Sequence, residues 1–237
     1  MTFHFEELDY RQTPLGELIL RRRRVPALGD TDIFEVKLGE EFLMSSLFHA
    51  GEVALAELGL AEVNAQAIDV VVGGLGLGYT AWAVLKQADI RSMLVIEAVD
   101  AVIDWHQKGL VPLGKLLTDD PRCHFIQGDF FALARQSGFD PQQPNRQFDA
   151  ILLDIDHAPQ HLLNPSHAAF YTETGLRHLT TYLKPNGVFA LWSNDPPDDD
   201  FLTRLTNVFV TTESHVITFK NPLTDQTVSN TVYVSQI

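Results

Sequence analysis

The sequence predicts an α/β protein: a doubly wound, mostly parallel Rossmann-like sheet preceded by a small antiparallel β domain. Two observations lead to this prediction. After Ile68, short apolar segments alternate with helical ones, and the apolar segments show little polar alternation, which is typical of parallel strands covered on both faces. Before Ser46, the signals are instead those of short strands separated by turns, which indicates an antiparallel sheet.

The length and composition are those of a folded protein with one main domain and a small appendage. The chain has 237 residues, of which 45% are apolar and 20% are charged. Its 17 basic and 31 acidic side chains give a formal net charge of −14. Such a charge leaves no electrostatic footprint for a phosphate backbone, so nucleic acids and anionic membranes are not expected as partners.

No sequence signal points to a location outside the cytoplasm. Met1–Tyr10 has acidic residues where a signal peptide needs basic ones, and the apolar runs are far shorter than the ~20 residues of a membrane helix. The single cysteine, Cys123, excludes an internal disulfide and a cysteine zinc cage. We therefore expect a cytoplasmic protein.

The first 47 residues are predicted to form the small β domain, and residues 48–237 the main domain. A turn-rich segment, Pro26–Thr31, separates the first two strand candidates. The strand candidates of the small domain are Leu15–Val25, Ile33–Leu38 and Phe42–Met44. A helix predicted from Phe48 to Leu60 opens the main domain.

Strands and helices alternate in the main domain. The predicted strands are Ile68–Gly73, Ser92–Glu97, Cys123–Gln127, Phe148–Asp154 and Gly187–Trp192. The helical stretches that separate them are Tyr79–Gln87, Val99–Lys108, Phe130–Gln136 and His167–Leu183. A further helix is expected from Phe201, and the tail is expected to form an antiparallel hairpin from Val216–Lys220 and Thr231–Ser235.

A glycine-rich loop follows the first strand of the main domain and opens a helix. Gly74, Gly76 and Gly78 let the backbone turn tightly and approach a ligand, and the helix beyond them presents free amide groups. Glycine turns also occur for packing reasons, but the strand before this loop and the helix after it favour a nucleotide-type site. The three glycines are therefore candidate cofactor-binding residues.

Acidic residues follow the next two strands and are candidate ligands of a nucleoside. Glu97 ends the second strand, where a carboxylate can accept both hydroxyl hydrogens of a ribose; the alternative is a solvated strand-end acid. Asp129 follows the third strand, where it can accept an adenine amino hydrogen, and the ring of Phe130 can pack on the adenine. Asp129 can also cap the helix that begins at Phe130, and the two roles can coexist.

The spacing of the glycines distinguishes two kinds of nucleotide domain. NAD-binding domains usually carry G-x-G-x-x-G, whereas Gly74, Gly76 and Gly78 form G-x-G-x-G. Together with an acid after the third strand, this pattern resembles the class I methyltransferases that depend on S-adenosylmethionine (AdoMet). The resemblance extends from Ile68 to about Phe209 and implies AdoMet as the cofactor.

The whole chain resembles the spermidine synthase (polyamine aminopropyltransferase) family, which places a small β domain before a methyltransferase-like fold. The segments that carry this resemblance are Asp9–Leu18, Glu40–Ala50, Gln127–Phe131 and Phe148–Asp154. The family's pattern implies that Glu97 holds the ribose, Asp129 holds the adenine and Asp154 faces the reacting groups. It also implies decarboxylated AdoMet as the donor, a small amine as the acceptor and a homodimer.

Departures from the family's pattern bear on donor and acceptor. The family's loop reads G-G-G-D-G-G, and its Asp contacts the amine of decarboxylated AdoMet; here Gly76 stands at that position, which favours the carboxylate of intact AdoMet. The family's D-S-x-D-P motif becomes Asp154–Pro159, with His157 in place of the second acid. Gly16 and Ala50 replace a glutamine and an acid, so several groups that hold a diamine are absent.

Acids and histidines follow the fourth predicted strand. Asp154 or His157 is a candidate general base that removes a proton from the nucleophile, and a histidine-bearing surface loop is the alternative. Asp156, His161 and His167 are expected at the same edge of the sheet. No metal is expected, although oxygen ligands suited to Mg²⁺ follow neighbouring strands at Asp154, Asp156, Asn194 and Asp195.

We therefore predict an AdoMet-dependent transferase of the spermidine-synthase-like type. Methyl transfer to a small amine or hydroxyl compound is the main interpretation, because Gly76 fits intact AdoMet. Aminopropyl transfer from decarboxylated AdoMet is the alternative, and a catalytically silent AdoMet-binding module is a third.

Overall fold

The computed structural model describes residues 5–13, 16–29, 31–87 and 89–237. Parts of three sequence predictions therefore lie outside the described residues. These parts are Pro14 and Leu15 in the first predicted hairpin, Asp30 in the predicted turn, and residues 1–4 of the N-terminal segment.

The N-terminal strands form an antiparallel sheet, as predicted. The strands pair in chain order and are β1 (Phe5–Thr13), β2 (Gly16–Arg24), β3 (Asp32–Leu38) and β4 (Glu41–Ser45). Side chains alternate across the two faces, so Leu18, Leu20 and Val36 are buried against the main domain. On the other face, Arg21 and Arg23 pair with the Glu35 carboxylate of the neighbouring strand β3.

The second sheet has seven strands in the order β10-β11-β9-β8-β5-β6-β7. Its parallel strands are β5 (Ile68–Gly73), β6 (Ile90–Glu97), β7 (Cys123–Gln127), β8 (Phe148–Leu153) and β9 (Leu183–Ser193). The antiparallel hairpin of β10 (Thr211–Lys220) and β11 (Thr227–Gln236) completes the sheet and is longer than predicted. Every residue of β5 and β8 is buried, in keeping with their mostly apolar sequences.

Helices cover both faces of the large sheet. They are α1 (Ala50–Ala61), α2 (Tyr79–Leu85), α3 (Asp100–Gln107), α4 (Gly114–Asp119), α5 (Phe130–Arg135), α6 (Glu173–Thr180) and α7 (Asp199–Thr206). Helices α1–α4 pack with one hydrophobic cluster and α5–α7 with another, and alternate residues of the central strands join the two clusters. Within the described ranges, no helix is long and apolar enough to cross a membrane.

The structure corrects the helix predicted from His167 to Leu183. Pro165–Ala169 form a 3-10 turn, α6 covers Glu173–Thr180 alone, and Leu183 begins β9. The hydroxyl of Thr172 accepts the backbone N–H of Gly175 at 3.1 Å, so a new helix starts there. Helix α4 was not predicted, because its six residues are too few for a periodic apolar signal.

Candidate active site

The glycine loop joins β5 to α2 at the carboxyl edge of the large sheet. Gly74, Gly76 and Gly78 have positive φ angles of 94°, 51° and 91°. A Cβ atom at Gly74 would lie 2.1 Å from the carbonyl oxygen of Asp154, so the loop reaches the end of β8 because residue 74 has no side chain. A Cβ atom at Gly78 would lie 2.5 Å from Leu117, so this glycine also serves packing against α4.

Glu97 braces the glycine loop from the end of β6. Its Oε2 accepts the backbone N–H of Leu75 at 3.1 Å, and its Oε1 accepts that of Val99 at 2.8 Å. Burial raises the pKa of the Glu97 carboxyl, and these backbone donors counteract the effect in part. The backbone groups of Gly76 and Ala98 also act on this carboxylate, so the binding of a ribose by Glu97 stays a prediction.

Asp129 caps α5, which is one of the two roles that the sequence allows for it; the other is adenine binding. One of its carboxylate oxygens accepts the backbone N–H groups of Phe131 at 2.8 Å and Ala132 at 3.2 Å. Phe130 is 1% exposed and stacks on Phe139 with 4.8 Å between ring centroids. Core packing accounts for the Phe130 ring, and its contact with adenine stays a prediction.

A cavity of about 490 Å³ opens beside the glycine loop, a volume typical of small-molecule sites. Its wall combines β4, the first turn of α1, the loop, the ends of β8 and β9, and the C-terminal hairpin. Four predicted site residues line this cavity: Gly76, Gly78, Asp154 and His157. The other four lie outside its lining: Gly74, Glu97, Asp129 and Phe130.

Two carboxyl groups form the acidic part of the cavity. Asp154 follows β8, and its Oδ2 accepts the hydroxyl hydrogen of Thr80 at 2.8 Å; Glu52 comes from the first turn of α1. Burial raises the pKa of Asp154 to about 6. Burial, reinforced by the negative charge of Asp154, raises the pKa of Glu52 to about 8. Near neutral pH the pair therefore carries about one negative charge and one proton.

Glu52 was missed by the sequence analysis. Its helix was predicted, but the acid that the family has nearby is replaced by Ala50, and Glu52 was not predicted to take its place. The signal that could have shown it is an acidic residue in the first turn of α1, next to small or apolar positions. Two of these positions, Gly51 and Leu55, are buried. An acid on such a face is unusual unless it has a partner or a ligand.

The remaining charges on the cavity wall cancel each other. Glu35 is 3% exposed and accepts hydrogen bonds from Arg21 at 2.8 Å and Arg23 at 2.9 Å. Among the described residues, the cavity wall contains no lysine, and its one arginine is Arg23. The charge of the Glu52–Asp154 pair is therefore not neutralised by a lysine or arginine of this wall.

The histidines expected at this edge of the sheet separate in the structure. His157 lines the cavity, whereas His161 lies outside it with its Nδ1 2.6 Å from Asp195 Oδ2. His167 Nδ1 contacts the buried Asp156 at 2.9 Å. Asp156 thus turns away from the cavity and anchors the following loop. In the part of the chain that the structure describes, no group of three or more acidic, histidine or cysteine side chains is arranged to hold a metal ion.

The comparison with known proteins agrees with this geometry. A family model described as the spermine/spermidine synthase domain matches residues 51–204. The chain belongs to this family. A crystal structure of spermidine synthase from Thermotoga maritima is similar to it, with a TM-score of 0.73 and 19% identity over 97% of this chain and 72% of that one. A spermidine synthase in complex with the transition-state analogue AdoDATO gives a TM-score of 0.74 and 19% identity over 97% of this chain and 73% of that one.

Membership of the spermine/spermidine synthase family confirms the resemblance found in the sequence. The predicted fold class is confirmed as well, since the small antiparallel sheet and the mostly parallel sheet match these structures over nearly the whole chain. The chain is a transferase of the class that uses AdoMet or its decarboxylated form.

Proposed function

We propose that this protein transfers an aminopropyl group from decarboxylated AdoMet to a small amine. The observation that carries the proposal is the Glu52–Asp154 pair, which lines a cavity whose single arginine among the described residues is already paired. A buried carboxylate stabilises an ammonium group and repels the carboxylate of intact AdoMet. Membership of the spermine/spermidine synthase family supports the same reaction.

We assign the donor's nucleoside to the glycine loop and the acids beside it. The proposal gives the ribose to Glu97, which ends β6 beside the loop, and the adenine to Asp129 through the oxygen that does not cap α5. The donor lies along the backbone of Gly74, Gly76 and Gly78, next to the end of β8. Phe130 supports this wall from the core.

The chemistry assigned to the cavity is a displacement at carbon. The amine nitrogen of the acceptor forms a bond to the propyl carbon next to the sulfonium, the carbon–sulfur bond breaks, and a neutral thioether leaves. The new ammonium then releases one proton. Asp154, with a pKa raised to about 6, is suited to accept this proton near neutral pH, and His157 on the same wall is the second candidate. Alignment of the two reactants supplies much of the acceleration.

One observation favours methyl transfer from intact AdoMet as a second candidate. Gly76 stands where the family's loop has an acid, and a Cβ atom there would lie 3.3 Å from the sulfur of Met44. The loop at this point faces a thioether and does not repel a carboxylate. We rank aminopropyl transfer first because Glu52 supplies the cavity with the acid that the loop lacks.

Calorimetry with the two donors tests the proposal. Decarboxylated AdoMet is expected to bind at least about tenfold more tightly than AdoMet. The preference should grow as the pH rises through about 8, because Glu52 then ionises. Glu52→Gln should reduce the preference, whereas Glu57→Gln, an exposed position of the same helix, should leave it unchanged. Equal affinities, or tighter binding of AdoMet, would put methyl transfer first.

Removal of the Glu97 side chain is expected to weaken both donors alike, because both carry a ribose. Hydrogen bonds to a charged group contribute about 1.5–3 kcal/mol each, so Glu97→Ala should cost at least about tenfold in affinity. Circular dichroism checks that the variant folds, and Glu62→Ala, an exposed position just after α1, is the control. An unchanged affinity for the donors in a folded variant would mean that Glu97 stabilises the glycine loop but does not bind the ribose.

We propose in addition that residues 1–47 form a domain of their own ahead of an AdoMet-binding domain at 48–237, and that the protein is a cytoplasmic homodimer. The small domain takes part in the site under this proposal, since Phe42, Leu43 and Met44 line the cavity.

A further inference from the structure

Part of the cavity wall is polar but uncharged. We call it the amide wall and define it as Asn194, Asn221, Ser229 and Asn230. Asn194 directly follows β9, Asn221 directly follows β10, and the other two residues lie on β11. The C-terminal hairpin therefore contributes side chains to the same cavity as Asp154.

Hydrogen bonds hold the amide wall in place. Asn230 is 7% exposed, and its Nδ2 donates to Asn194 Oδ1 at 3.2 Å and to the carbonyl oxygen of Ser229 at 3.3 Å. Asn194 itself is exposed, and its backbone N–H donates to the carbonyl oxygen of His157 at 2.7 Å. An amide side chain has both donors and acceptors, so this wall suits a neutral group such as a hydroxyl or an amide.

The acids closest in sequence to the amide wall are engaged elsewhere. Asp195 Oδ2 lies 2.6 Å from His161 Nδ1, and Asp195 lines a separate groove. Asp225 pairs with Lys220 at 3.0 Å at the exposed end of the hairpin. Neither of these two carboxylates is therefore available to a cation bound at the amide wall.

The number of acidic side chains on the cavity wall limits how many ammonium groups the acceptor can carry. Apart from Glu35, which the arginines neutralise, the acids on the described cavity wall are Glu52 and Asp154. Under the proposed function, the ammonium of the donor pairs with Glu52 and favours its ionised form, and the reacting amine of the acceptor lies beside Asp154. A second ammonium on the acceptor would have no carboxylate, and an unpaired charge is costly to remove from water.

We propose that the acceptor is a primary monoamine whose other end is a neutral hydrogen-bonding group, such as a hydroxyl or an amide. This inference rests on the proposed function and narrows its acceptor. The reacting amine lies beside Asp154, and the neutral end lies against Asn194 and Asn230. A diamine of the same length loses the water around its second ammonium and gains no ion pair.

Two acceptors of equal length test the inference: 4-amino-1-butanol and 1,4-diaminobutane. Each is titrated calorimetrically into the protein saturated with S-adenosyl-3-thiopropylamine, the demethylated thioether form of the donor, which keeps the donor's ammonium but cannot transfer its propyl group. Each is also assayed for turnover with decarboxylated AdoMet. The amino alcohol is expected to bind at least about tenfold more tightly and to react with the higher kcat/KM. Tighter binding of the diamine to the natural protein would overturn the inference.

Asn194→Asp is the variant that isolates the amide wall. It adds a carboxylate at an exposed position, so it should fold, and it should move the affinity ratio at least about tenfold towards the diamine. Asn145→Asp, in an exposed loop outside the cavity, should leave the ratio unchanged. An unchanged ratio in Asn194→Asp would also overturn the inference. If the amino alcohol binds more tightly but neither compound reacts, the proposed transfer fails and the inference on the amide wall stands; binding of neither compound overturns both.

Discussion

Asp154→Asn is expected to lower the rate of a single turnover by about 10²–10⁴-fold while folding and donor binding persist. Asparagine keeps the shape of the side chain and an oxygen that can accept the Thr80 hydroxyl, now bonded at 2.8 Å. The backbone N–H of residue 154 donates to the carbonyl oxygen of Gly73 at 2.8 Å and does not depend on the side chain. The variant therefore loses the proton acceptor and the negative charge of residue 154, while the backbone and the Thr80 contact are kept.

The measurement is single-turnover kinetics beside a titration of donor binding. Asp119→Asn is a matched control, because this exposed carboxylate pairs with Lys115 outside the cavity. A wild-type rate for Asp154→Asn would show that the reacting centre is wrongly assigned. His157 would then be the first residue to examine, since it lines the same cavity.

The same variant has a second measurable effect, on Glu52. Burial raises the pKa of Glu52 to about 8, and the charge of Asp154 contributes to this rise. Asp154→Asn should therefore lower the pKa of Glu52 but leave it above its ordinary value of 4.5, which carbon-13 NMR of the carboxyl group can follow. A pKa for Glu52 that does not move would mean that the two groups are not coupled.

The sign of the pH effect on stability follows from the same shift. Folded Glu52 keeps its proton up to about pH 8, whereas an unfolded glutamate loses it near 4.5. Between these values the folded state binds more protons, so the contribution of Glu52 to the free energy of unfolding falls as the pH rises. This fall should be shallower in Asp154→Asn.

The sequence predicted the central strands well because burial leaves a local signal. Ile68–Gly73 and Cys123–Gln127 were placed at their observed bounds, since each is a short, largely apolar segment with a turn at its carboxyl end. The helix predicted from His167 to Leu183 was wrong, because apolar residues of a 3-10 turn, a helix and a strand followed one another at similar spacing. The periodicity of apolar residues does not show where one secondary-structure element ends and the next begins.

The candidate site was predictable where its residues follow strands. Glu97, Asp129 and Asp154 were predicted in this way, because ligands of open α/β sheets bind at the carboxyl ends of strands. Asp154 lines the cavity, and the ligand roles of Glu97 and Asp129 stay predictions. Glu52 was missed, because nothing local in α1 shows that its first turn faces the end of β8. Asp156 was expected near Asp154, but β8 ends at Leu153 and the chain then turns the Asp156 carboxylate into the core.

The largest expected loss of stability concerns Asp69, at the opposite end of β5 from the glycine loop. Asp69 is 2% exposed and accepts hydrogen bonds from Arg91, from the Ser92 hydroxyl at 2.8 Å and from Lys184 at 3.1 Å. Burial alone would raise the pKa of this carboxyl, but the three donors outweigh it and hold the pKa well below its usual range. The group joins β5, β6 and β9 at their amino ends.

Asp69→Ala should lower the free energy of unfolding by about 2–3 kcal/mol, because the partly buried Ser92 and Lys184 lose a buried carboxylate partner while the half-exposed Arg91 regains water. Urea unfolding near pH 7.5 measures the loss, with the exposed Asp89→Ala as control.

The pKa of Asp69 is depressed in the folded state, so its contribution to the free energy of unfolding is fully present above the pKa of the unfolded chain. This contribution is lost as the pH falls through the pKa of the folded state. The gap between the two proteins should therefore narrow in acid. A loss below about 1 kcal/mol near neutral pH, or a gap that widens in acid, would contradict this account. Donor affinity of the folded variant should persist, since Asp69 lies outside the cavity lining.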